Sequence, residues 1–268
     1  MGNELTDRQR REREFYEQYS SEHSDLTTTF DPVAGDERRP WNSYWFVYEQ
    51  VRALHDNGAA RVLDFGCGSG VASTRYASLG YEVHGFDISD NNVRLSQARA
   101  DKYGFGERTH FEVQAAEHLE YPDNHFDVVA GIDIIHHVEI EAAMREVHRV
   151  LKPGGVGVFR EWIEVPVFEA FRNTAVVRKF FPKEMSFEDH RTHDERKLNA
   201  SDVAVVRRIF PNCLLVRFCI FSRLRRVLPI RNYSKASRLE MLDRTLIRLC
   251  PPLSQFGGEV VFMLRKPA

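Results

Sequence analysis

The sequence is poor in the features that staple, anchor or polarise a protein. Its four cysteines, Cys67, Cys213, Cys219 and Cys250, form no C-x-x-C pair and no metal-type spacing, so neither a disulfide scaffold nor a zinc framework is expected. No stretch reaches the ~18 apolar residues of a membrane span, and the opening Met-Gly-Asn-Glu-Leu-Thr runs into charged residues where a signal segment would be apolar. A soluble cytoplasmic protein with no stable membrane insertion is the expectation. Charge of one sign is missing too: 37 Lys and Arg against 39 Asp and Glu leave a net charge of −2, which removes any global attraction to nucleic acid or an anionic surface. What the chain does have is 43% hydrophobic residues in a length of 268, enough to bury one sizeable core with additions.

Against this background one stretch names a ligand class. Residues 61–70 read Arg-Val-Leu-Asp-Phe-Gly-Cys-Gly-Ser-Gly, an apolar strand carrying Asp64 that runs into Gly66, Gly68 and Gly70. A glycine-rich turn between a strand and a helix lets backbone approach a ligand, and the helix N-terminus behind it offers unpaired N–H groups. The dinucleotide pattern G-x-G-x-x-G is absent: the third glycine comes one residue early and Val71 holds the later position. Tyr81–Asp87 reads as a second strand ending in an acid, nineteen residues past Gly68. That offset suits a carboxylate that takes ribose hydroxyls. An adenosine-type ligand without a pyrophosphate follows, and S-adenosyl-L-methionine fits the description.

The chain resembles the class I S-adenosylmethionine-dependent methyltransferases, in particular the small-molecule branch. The resemblance rests on four stretches in order: VLDFGCGSG at 62–70, VHGFDIS at 83–89, AAEHLEYPDNHFDVVAGIDIIHHV at 115–138 and EVHRVLKPGGVGVF at 146–159. It implies that Asp64 orders the methionine end of the cofactor, that Gly66, Cys67, Gly68 and Gly70 pass beneath it, and that Asp87 with Ile88 holds the ribose. Asp133 joins the same cofactor set. Many relatives carry an acid at the end of the third strand for the adenine amino group; here the residues are Gln114-Ala115-Ala116-Glu117. Either Ala116 backbone and the Glu117 carboxylate take that role, or Glu117 is a first-turn acid favoured by a helix dipole.

Strands and helices alternate from Arg61 to Phe159, the pattern of a parallel sheet covered on both faces. The family implies a Rossmann-like α/β fold: a seven-stranded, mostly parallel sheet with an antiparallel last strand. Residues 1–58 are expected to form a helical cap and residues 59–268 the methyltransferase domain. A helix is predicted from Thr6 to Tyr19, with Thr6 as N-cap, and another from about Pro40 to Gly58. Lys152-Pro153-Gly154-Gly155 is predicted as a turn before a strand at Val156–Arg160. A helix at Asn199–Phe210 and strands at Cys213–Phe221 and Glu259–Leu264 complete the domain. Tyr16, Tyr19, Trp41, Tyr44 and Trp45 either wall a substrate pocket or pack the N-terminal helices on the sheet.

Two insertions interrupt the domain. The first, about 161–198, carries His190 and His193 among acids; it reads as a substrate lid or as a solvated charged loop. His190-x-x-His193 with Asp189 and Asp194 has metal-like residue types, yet the spacing is not diagnostic and methyl transfer needs no metal, so no metal is expected. The second, about 222–257, sets eight basic residues against Glu240 and Asp243. It reads as an amphipathic surface for peripheral contact with an anionic lipid through 222–248, for a phosphorylated substrate or for a partner, or else as a helix packing its apolar stripe on the domain.

Methyl transfer from a sulfonium is an in-line displacement, so the protein must align an acceptor and, for a hydroxyl or carbon, remove a proton. His136, His137 and Asp133 follow the strand Phe126–Ile132 and Glu161 follows the next. Adjacent histidines do not both face one way on a regular element, and His137 is preferred as the base, with His136 and Glu161 behind it. The expected activity is methylation of a small-molecule acceptor, on oxygen first. Carbon or nitrogen methylation of a lipid-like or phosphorylated intermediate stands beside it, as does a non-catalytic cofactor-binding module.

Overall fold

The computed structural model describes residues 5–23, 42–166, 196–222 and 238–268. The calls on Trp41, His190 and His193, and most of the first insertion, lie outside the described residues. Two helices come first, α1 (Asp7–His23) and α2 (Ser43–Asp56). Thr6 caps α1: its Oγ1 accepts from the Gln9 N–H at 3.3 Å while Gln9 Oε1 accepts from the Thr6 N–H at 2.9 Å, a reciprocal capping box. The helix runs a turn beyond the predicted Tyr19. Asn42 starts α2 by accepting from the N–H groups of Tyr44 and Trp45.

The alternation that follows is β1 (Arg61–Phe65), α3 (Val71–Leu79), β2 (Glu82–Asp87), α4 (Asp90–Lys102), β3 (Thr109–Val113), β4 (Phe126–Ile132), α5 (Ile140–Val150) and β5 (Leu151–Trp162). After the first insertion come α6 (Ala200–Ile209), β6 (Leu214–Phe218), α7 (Arg238–Leu249) and β7 (Glu259–Arg265). The seven strands lie in the order β3-β2-β1-β4-β5-β7-β6. The first five are parallel, and β7 slots antiparallel between β5 and β6. Apolar residues fill both faces: Phe65, Phe159 and Phe262 toward one layer, Val62, Tyr76 and Val261 toward the other. Strand order reverses between β1 and β4, so a cleft opens at the C-terminal ends of those strands.

Three boundaries differ from the sequence reading. β5 begins at Leu151, and the Lys-Pro-Gly-Gly stretch is a bulge inside it: the ladder pairs Phe126 with Leu151 and then Val128 with Val156, while Gly154 takes φ +76°. β6 stops at Phe218 because the buried Asp243 of α7 accepts the N–H groups of Ile220, Phe221 and Ser222. The third concerns α7. Its covered face carries the buried Glu240 and Asp243 with the half-buried Leu239, Leu246 and Ile247, while Met241, Leu242 and Leu249 are exposed. Among the described residues no helix is long and apolar enough to cross a membrane.

Candidate active site

The glycine turn between β1 and α3 has three left-handed residues: Gly66 at φ +74°, Gly68 at +53° and Gly70 at +79°. Their surroundings differ. A Cβ at Gly66 would stand 2.7 Å from the Ile134 side chain, and one at Gly70 would meet the backbone of Ser96 at 2.7 Å; these two let the 133–134 loop and α4 pack close. A Cβ at Gly68 would meet nothing within 4 Å. The space it leaves belongs to a cavity of about 200 Å³ at the C-terminal ends of β1, β2 and β4.

Asp87, at the end of β2, turns its carboxylate to this cavity. Oδ2 accepts from the Gly68 N–H at 3.0 Å, and Oδ1 accepts from the Ser89 N–H at 2.9 Å and from Asn92 Nδ2 at 3.1 Å. Three of the roughly four lone-pair positions of a carboxylate are thus used, leaving one for a ligand hydroxyl. Burial raises the Asp87 pKa, against the lowering effect of those bonds. Gly66, Gly68, Asp87 and Ile88 line the cavity as the sequence reading placed them, and Ala116, Glu117 and Asp133 join them.

Asp64, Cys67 and Gly70 do not line it. Asp64 is buried beneath the turn and accepts a hydrogen bond from Ser73 Oγ of α3; burial pushes its carboxyl up to about 7. Cys67 is buried as well, its thiol raised by the same desolvation and approached by Ser96 Oγ at 3.5 Å.

The two histidines after β4 part company. His136 Nδ1 is 2.6 Å from Glu161 Oε2, and the other Glu161 oxygen accepts the N–H groups of Ile134 and Ile135. Glu161 is fully buried, so this pair clamps the loop from behind and neither residue reaches the cavity. His137 does line it. Its Nε2 lies 3.1 Å from Tyr16 Oη, and its Nδ1 lies 3.2 Å from Glu12 Oε2 outside hydrogen-bond alignment.

Glu12 and Tyr16 both come from α1, spaced i and i+4 on one face, and Gln9 extends that face. Gln9 Nε2 donates to Glu117 Oε2 at 2.7 Å, and Glu17 Oε1 accepts from the Asp90 N–H at the start of α4 at 2.7 Å. The helix therefore lies over the cavity on polar contacts. Gln9, Glu12 and Asn92 also line the cavity and belong to none of the four sequence stretches. The only sequence signal for the first two was their spacing ahead of Tyr16.

The remaining aromatic candidates separate. Tyr44 Oη donates to Asp133 Oδ2 at 2.8 Å, and Asp133, at φ +56°, is paired with the fully buried Arg160. The Arg160 guanidinium sits between the rings of Tyr44 and Trp162, 4.4 and 4.2 Å away. Trp45 faces α3, with Arg75 4.8 Å above its ring. Tyr19 stacks on Phe15 at 6.1 Å and stays out of the cavity.

A Rossmann-like sheet with a carboxylate-tethered glycine turn at its switch point defines a nucleotide-binding domain. Comparison with known proteins narrows the class. Residues 63–159 match the family of the methyltransferase domain. The 27-O-demethylrifamycin SV methyltransferase of Amycolatopsis mediterranei (strain S699) is 37% identical over 108 residues, 40% of each chain. A sterol 24-C-methyltransferase of Gibberella zeae, ERG6B, is 32% identical over 111 residues, 41% of this chain and 29% of that one. The chain thus spans less than half the length of these relatives. Among solved structures, the [4+2]-cyclase SpnF superposes over 100% of both chains at a TM-score of 0.60 with 20% identity, a likeness of fold. Over residues 63–159 the chain is thus similar to methyltransferase domains.

Proposed function

We propose that the protein transfers a methyl group from S-adenosylmethionine to a hydroxyl oxygen of a small molecule, with His137 as general base. The observation that carries the reading is the placement of Glu12, His137 and Tyr16 in the same cavity as Asp87. The open space at Gly68 and the remaining lone pair on Asp87 suit the ribose and backbone of the cofactor. When bound, S-adenosylmethionine supplies an electrophilic methyl on a sulfonium that already carries its leaving group.

The residues of this chain do the rest. Glu12 stands beside Nδ1, so Nε2, which lies 3.1 Å from Tyr16 Oη, is the nitrogen placed to take the acceptor's proton. With the methyl donor bound, the acceptor's hydroxyl proton would pass to His137 Nε2 and later to solvent. Tyr16 marks where an acceptor oxygen sits. In this reading residues 1–58 cap the domain at 59–268. A base in the cavity serves a hydroxyl or a carbon acceptor, and the named relatives include both types.

The deciding experiment is mass spectrometry of a metabolite extract incubated with the protein and a trideuteriomethyl donor. A product carrying the label on oxygen supports the proposal. Label on carbon or nitrogen alone refutes the acceptor assignment, and donor binding by calorimetry with no labelled product refutes methyl transfer.

A further inference from the structure

At the opposite end of the strands from Asp87 lies a group of side chains that this reading does not use. Glu82 and His84 are two residues apart on β2 and so share one face of the sheet. His110 of β3 is the register partner of His84. Donor atoms of these three residues all lie within 4.8 Å of one another, the one such group of three found among the described residues. The separation along β2 between Glu82 and Asp87 is roughly 16 Å at ~3.3 Å per residue.

We propose that Glu82, His84 and His110 bind a late first-row divalent cation, Zn²⁺ above all, that clamps the edge strand β3 to β2. Two imidazoles and one carboxylate form a donor set for Zn²⁺ and its neighbours, whereas Ca²⁺ and Mg²⁺ call for oxygen ligands. Tetrahedral coordination with bonds of ~2.0–2.1 Å places donor atoms about 3.4 Å apart. Glu82 Oε1 and His84 Nε2 already stand 3.1 Å apart. His110 is exposed, so its ring turns in without displacing packed atoms.

The second carboxylate oxygen of Glu82 is held by Arg61 Nε at 3.1 Å, which aims the first at the ion and keeps its binding monodentate. A water completes the fourth position. The ion would tie down β3, the outermost strand on that side of the sheet.

The test uses the metal-free full chain and Zn²⁺ alone. Calorimetric titration should show one ion bound per chain, and His110→Ala, an exposed substitution, should weaken it by about tenfold or more. A His190→Ala/His193→Ala double variant should bind as the wild type does. No binding by the wild type overturns the proposal, and so does binding lost in the double variant but kept in His110→Ala. As an independent readout, one equivalent of Zn²⁺ should raise the melting temperature of the wild type and leave that of Glu82→Gln unmoved; equal rises in both overturn the site.

Discussion

Glu12 Oε2 lies 3.2 Å from His137 Nδ1 with both side chains buried, so a carboxylate from the first helix stands beside an imidazole from the loop after β4. The pair exists only when α1 is docked, and docking rests on polar contacts such as Gln9 with Glu117 and Glu17 with the α4 N-terminus. In the proposed reaction Glu12 positions His137 and does not touch the acceptor.

From this pairing, His137→Ala should lower kcat by about 100-fold or more, the scale of a lost general base, with the Kd for S-adenosylmethionine unchanged. Glu12→Gln should lower kcat less, because it keeps the size of the side chain and removes only the charge beside Nδ1. A kcat equal to that of the wild type in Glu12→Gln would assign Glu12 to helix docking alone.

Asp87→Ala should weaken cofactor binding by roughly 10- to 100-fold, the equivalent of the ~1.5–3 kcal/mol of a hydrogen bond to a charged group. The variant also releases the Gly68 N–H from its tether. Calorimetric affinity equal to that of the wild type would remove Asp87 from the ribose site.

Asp64 makes the protein's stability depend on pH. Its folded pKa of about 7 stands above the ordinary carboxyl value of 3.8 because the carboxylate is desolvated, so the folded state holds this proton more tightly than the unfolded one. The contribution is fully present below about pH 4 and is lost as pH rises to about 7, on the order of 4 kcal/mol across that window. Urea denaturation of Asp64→Asn between pH 4 and pH 7 should show a flatter stability profile than the wild type, and identical slopes would contradict the assignment.

Two glycines separate strain from collision. Gly58 takes φ +97° with nothing within 4 Å of an added Cβ, whereas Gly70, at φ +79°, would drive one to 2.7 Å from the Ser96 backbone. Gly58→Ala should cost about 1 kcal/mol from backbone strain. Gly70→Ala should cost about 1–3 kcal/mol more as overpacking pushes α3 and α4 apart. Equal losses in chemical denaturation would mean that the α3–α4 contact yields freely.

Local rules settled the elements that local rules govern. The strand and glycine turn of 61–70, the acid ending β2 and the Thr6 cap each bind residues close in sequence, and each stands where it is read. Asp243 shows where that reasoning stops: in sequence it is one acid in a basic segment, and only the fold brings the N–H groups of Ile220, Phe221 and Ser222 to it and so ends β6. The histidine pair is the sharper case. Sequence alone determined that two imidazoles follow β4 and that no more than one faces a ligand. Tertiary structure decided which one lines the cavity, because Glu161 arrives from β5 to hold His136 while Glu12 arrives from α1 to meet His137, and a side chain's partner across the chain leaves no trace in the spacing of its neighbours.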